Sequence, residues 1–191
     1  MRSPRVFLAA ALLALLSLGG HAGAQVASNA PREAFTAYAV NISNVGATGA
    51  TPLDIVIERW STAAERERFM TVFRERGAEA LLEALQSVPR VGYIRTPDSL
   101  AYDLRYAFQV PGKDGGRHIV LGTDRPIGFW EAAARPRTLE YPFTFIELRL
   151  DSQGRGEGKL SIATKLILSG DVLIIEDYAN QPVMLNNVRK K

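Results

Sequence analysis

From Leu100 to Val110 the chain alternates without a break: Leu100, Tyr102, Leu104, Tyr106, Phe108 and Val110 stand between Ala101, Asp103, Arg105, Ala107 and Gln109. A helix repeats its apolar positions every 3.6 residues, so a run at period two commits this stretch to a strand with one buried face. The same period recurs in short segments along most of the chain: Tyr38, Val40 and Ile42; Leu53, Ile55 and Ile57; Val91 and Tyr93; then 117–123, 143–150, 159–168, 172–178 and 183–188. Turn residues separate many of them: Thr96-Pro97-Asp98-Ser99, Lys113-Asp114-Gly115-Gly116, the stretch from Ser152 to Gly158, and Ser169-Gly170-Asp171. A parallel crossover needs a dozen or more residues, so strands joined by turns this short are antiparallel.

One segment breaks the pattern. Thr62-Ala63-Ala64-Glu65 spells a capping box, in which the Thr hydroxyl and the Glu carboxylate each satisfy a backbone N–H at a helix start. Phe69, Val72 and Phe73 then share a helical face, Gly77 stops it, and Leu81, Leu82 and Leu85 form a second apolar stripe before Pro89. The fold class expected is mainly β (α+β): an antiparallel meander, curved into a sheet or small barrel, with a helical hairpin inserted at about residues 62–88. Phe129 to Ala134 predicts a helical turn before Pro136.

The chain has no cysteine, so its stability rests on burial alone. It begins with Arg2 and Arg5, an uncharged apolar run from Val6 to Leu18, and the small triplet Ala22-Gly23-Ala24. That order predicts a secretory signal peptide over residues 1–24. The run is about thirteen residues against the roughly twenty that cross a bilayer, so no transmembrane anchor is expected after processing. A lipoprotein anchor would need the missing cysteine. Residues 25–33 read as a flexible lead-in and 34–191 as a single globular β-rich domain, exported to the periplasm or secreted. Processing takes two of the 23 Lys and Arg residues with it and leaves 21 against 20 Asp and Glu, interspersed along the chain. Nucleic acid, which wants a clustered basic surface, is not an expected partner.

Three stretches carry a resemblance: Val56-Ile57-Glu58-Arg59-Trp60-Ser61-Thr62, Gly92-Tyr93-Ile94-Arg95-Thr96-Pro97, and Asp124-Arg125-Pro126-Ile127-Gly128-Phe129-Trp130-Glu131. Together they resemble an uncharacterised family of small exported bacterial proteins with no known activity. The resemblance implies no catalytic residue and no cofactor.

The residues that could carry chemistry are few. His118 is the single histidine left after processing; it sits in mid-strand with no nucleophile motif nearby, and Gly-x-Ser-x-Gly is absent. One histidine and no cysteine exclude the usual zinc sets, and the acidic turns lack calcium-loop spacing. No metal, cofactor or catalytic residue is therefore assigned, and the balance is against an enzyme. Asp103, Asp124, Glu131, Glu147, Glu176 and Asp177 leave a carboxylate-based hydrolase open as one alternative. The aromatic concentration points elsewhere. Tyr93, Tyr102, Tyr106, Phe108 and Trp130, with Arg95 to orient a polar head, are the candidate lining of a site for a small apolar or amphipathic ligand. That expectation has the aromatic residues of Leu100–Val110 facing inwards. The other alternative is a module that binds an envelope protein through an edge strand or an aromatic patch. Neither the ligand, the partner nor the oligomeric state is specified by any residue.

Overall fold

A computed structural model of the chain describes residues 32–41, 49–125, 127, 143–169, 172–177 and 183–191. The expected signal peptide, most of the lead-in, the helical turn at Phe129–Ala134, Trp130 and Glu131 lie outside the described residues. The chain is mainly β with an inserted helix. Its strands are β1 (Glu33–Asn41), β2 (Gly49–Ile57), β3 (Gly92–Arg95), β4 (Tyr102–Leu104), β5 (Tyr106–Pro111), β6 (Arg117–Gly122), β7 (Phe143–Leu150), β8 (Arg155–Ser169), β9 (Val172–Asp177) and β10 (Val183–Lys190), with α1 (Ala63–Gln86) between β2 and β3. Every described pairing is antiparallel, in the order β4-β3-β2-β1-β10-β8-β7-β6-β5, and β9 pairs with β8 off that path.

The two ends of this sheet, β4 and β5, are neighbours in the chain with Arg105 alone between them. One stretch of backbone thus serves both edges, and the sheet curls into a nearly closed barrel. The seam is bonded by backbone: Val91 N–H donates to Leu104 O at 2.7 Å, Arg105 N–H to Gly122 O at 2.8 Å, and Ser61 N–H to Ala107 O at 2.9 Å. Ala107 N–H donates to the Ser61 hydroxyl at 3.1 Å, so the connection leading into α1 satisfies both backbone groups of Ala107.

Alternation fills the barrel. Phe35, Ala37 and Ala39 of β1, Leu53, Ile55 and Ile57 of β2, and Ile146, Leu148 and Leu150 of β7 join one buried cluster. In β10 the inward set is Val183, Leu185 and Val188, because a bulge between Leu185 and Val188 inserts an extra residue and Asn187 takes a left-handed conformation with φ 53°. Strict alternation cannot anticipate that spacing. β8 begins earlier than its glycines imply. Gly156 and Gly158 read as turn residues, yet both lie in the strand, where a Cβ on Gly156 would run into the Arg149 carbonyl of β7.

The capping box forms as its spacing requires: Glu65 N–H donates to Thr62 Oγ1 at 3.0 Å and Thr62 N–H to Glu65 Oε2 at 2.8 Å. Arg59 clamps the same carboxylate with two bonds of 3.0 Å. The helical element is broken at Gly77, whose φ of 81° and ψ of −171° no helix accommodates. Phe69 and Phe73 before the break and Leu81, Ala84 and Leu85 after it all pack into a second cluster with Phe143 and Leu166, against the outer wall of the barrel. No helix among the described residues is long and apolar enough to cross a membrane.

Candidate functional site

Trp130 lies outside the described residues, and the other candidate lining residues do not line one cavity. In β5 it is Ala107 that joins the barrel core, fully buried, while Tyr106 packs into the cluster beneath α1. Its ring meets Phe69 edge-on at 6.2 Å and stacks with Phe108 at 6.4 Å, and the Arg66 guanidinium lies 4.8 Å over Phe108. Burial pushes the Tyr106 hydroxyl up to about 12, against the opposing pull of Arg66. Tyr102 packs against the barrel core, with Arg125 at 5.6 Å over its ring. Tyr93 precedes the buried Ile94 and faces the other way, between Arg90 at 5.7 Å and Arg95 at 5.8 Å. Arg95 also pairs with Asp54 at 3.6 Å.

The cause is a change of phase. Tyr102 and Leu104 face the core, the strand is interrupted at Arg105, and beyond it the inward position belongs to Ala107 instead of Tyr106. A slip of one residue moves every later side chain to the other face. Leu100, read as the strand's first residue, precedes β4 and is 91% exposed.

Glu131 and the Glu176 and Asp177 side chains lie outside the described residues, and the other candidates have charged or polar neighbours. His118 Nε2 lies 3.5 Å from Glu147, and the imidazole beside it holds that carboxyl below its ordinary value although burial raises it. Asp103 and Asp124 both face Arg105, at 3.5 and 3.2 Å, and Arg105 also donates to Val88 O at 3.0 Å. These contacts tie the seam together.

A site that alternation did not reveal lies at the end of the barrel where β1 begins and β10 ends. There a groove of about 530 Å³ runs between the β5–β6 hairpin (Gln109, Val110, Pro111, Gly115, Gly116, Arg117), the β7–β8 turn (Asp151, Ser152, Gln153, Gly154) and Lys190. Alternate turns of a meander fall at the same end of a sheet, which is why these two meet. Each is rigidly made. Gly112 N–H donates to Gly116 O at 2.8 Å, and Asp151 Oδ1 accepts from Gln153 and Arg155 N–H at 2.8 and 2.9 Å.

Beneath the groove sits Glu33, 6% exposed, accepting from Arg117 at 2.9 and 2.6 Å and from Lys190 at 3.1 Å. Arg117 also donates to Gln109 Oε1 at 2.9 Å and lies 5.9 Å over the Phe35 ring. Burial raises the Glu33 carboxyl, but the two cations outweigh it and hold it below its ordinary value. Composition put Glu33 in the lead-in; it is the first residue of β1, and its acid is paired across 84 positions of sequence.

Compared with models of protein families, with curated proteins and with solved structures, the chain matches none.

Proposed function

We propose that this chain is an exported binding protein that takes a small amphipathic ligand in the groove at the barrel end. The observation that carries this reading is the groove itself: its 530 Å³ falls within the roughly 300–1,000 Å³ of small-molecule sites. Val110 and Pro111 offer an apolar wall, while Arg117, Lys190 and the turn backbone offer polar handles. Export rests on the Arg-flanked apolar run and Ala22-Gly23-Ala24, and N-terminal sequencing of the protein recovered outside the cytoplasm should return a start near Gln25.

The test of the site is a screen of amphiphiles by chemical-shift mapping, with Ser152→Trp as the blocking variant, since Ser152 is an exposed turn residue at the rim. Binding that shifts Gly115, Gly116 and Gly154 amides and disappears in Ser152→Trp supports the reading. Shifts elsewhere, or binding that survives the variant, refute it.

A second reading, docking of an envelope protein, has one observation in its favour. β9 pairs with β8 alone among the described strands, and an edge of this kind can accept an added strand. Crosslinking in the cell envelope with a photoreactive residue at position 174 would capture such a partner.

A further inference from the structure

We propose that the ligand's head group is a single carboxylate, held by Lys190 and Arg117 while its apolar body lies on Val110 and Pro111. This rests on the groove being the binding site and goes beyond it by naming the ligand's charge.

Charge at the groove floor is the basis. Arg117 and Lys190 converge on one carboxylate, Glu33, which leaves one positive charge over. The acid in the lining itself, Asp151, is spent on its own turn, where it accepts two backbone N–H groups and faces the Arg155 guanidinium at 3.7 Å. It therefore offers little to a ligand cation. The donors suit an anion as well. A lysine ammonium has three N–H donors and a guanidinium five. Lys190 directs one contact and Arg117 three bonds to Glu33 and Gln109 among the described residues. The Lys190 side chain is 43% exposed, so its head can reach a ligand without leaving the floor.

The surplus of one charge also sets the ligand's valence. A monoanion neutralises it. A phosphate dianion would overshoot and lie beside the Glu33 carboxylate, which is buried and held ionised by both cations. An amine would meet the surplus as repulsion.

The experiment compares octanoate, octanol, octyl phosphate and octylamine, which share one apolar chain, by titration calorimetry against the purified protein at low salt. Octanoate should bind about tenfold or more tighter than octanol, the difference a charge-assisted hydrogen bond makes, with octylamine weakest. Lys190→Gln should bring octanoate down to the level of octanol and leave octanol unchanged. Glu33→Gln removes the internal counter-charge and should move the preference towards octyl phosphate; its melting temperature is measured alongside, and Lys190→Gln carries the test if that variant fails to fold. Equal binding of octanoate and octanol, both abolished by Ser152→Trp, overturns the carboxylate while the groove stands. Stronger binding of octylamine or octyl phosphate to the unmodified protein overturns it as well. No binding by any of the four overturns both the groove and its charge.

Discussion

The barrel interior and the layer beneath α1 are both apolar, but they are sealed differently. Inside, Phe35, Ile55, Ile94, Leu104, Ile119, Ile146 and Leu148 are at 0% exposure, enclosed by strands on every side. Beneath α1, Phe143 of the barrel wall is at 0%, but the helix's own Phe69, Phe73, Leu81 and Leu85 keep 4–7%, and Tyr106 and Phe145 are only partly buried. Aliphatic and alanine side chains predominate inside, because the concave face of a tightly curled sheet leaves little volume per residue. Rings gather outside, where a helix lies across an open wall. The difference teaches that the wall limits what the interior holds, while the outer layer adjusts to whatever its side chains require.

The comparison breaks most readily at its two phenylalanines. Phe35→Ala opens a void that closed strands cannot collapse, and should cost about 5 kcal/mol, the upper end for such truncations. Phe73→Ala lets α1 settle, and should cost about 3 kcal/mol. Urea midpoints measure both, and equal costs would show that the interior is no more rigid than the outer layer.

Acid sharpens the contrast at the next level. Glu33 closes the barrel end and Glu65 caps α1; burial raises both carboxyls, and their cationic and hydrogen-bonding partners hold both below the ordinary 4.5. A carboxyl whose folded pKa is depressed contributes stability that is present above its unfolded pKa. That contribution is lost as pH falls through the folded value, so the window lies below about 4.5. Glu33 is 6% exposed and Glu65 24%, so screening leaves Glu33 the larger share. Glu33→Gln should flatten the acid limb of the stability curve more than Glu65→Gln does, as read from denaturant midpoints between pH 3 and 6. The reverse order would place the acid-sensitive pairing at the helix.

The smallest expected effect is local to α1. Thr62→Ala removes one half of the capping box and should cost about 1 kcal/mol. Hydrogen exchange should quicken in the first turn of α1 and not in β1 or β7, so spread of the effect into the barrel would mean that the two regions are not separable.

What local residue order determined can be named. Strand positions, antiparallel pairing, the helix start at Thr62 and its break at Gly77 were legible, because each depends on residues a few positions apart: a period, a turn, a cap, a positive φ. The groove was not. Gln109 and Arg117 meet within the legible β5–β6 hairpin, but only the stacking of alternate turns at one end brings Asp151 beside them.

The sequence by itself determined that 102–104 and 106–110 are strand; it could not say that the inward face changes between them. Period two is unchanged by a shift of two and inverted by a shift of one, so the single interruption at Arg105 decides where Tyr106 and Phe108 go. The chain on either side of that interruption is held by bonds to Gly122 and Ser61 that exist only once the barrel closes. The pairing of Glu33 with Arg117 has the same character: attraction between charges depends on distance in space, and nothing in the order of the chain brings those two together until the sheet has curled.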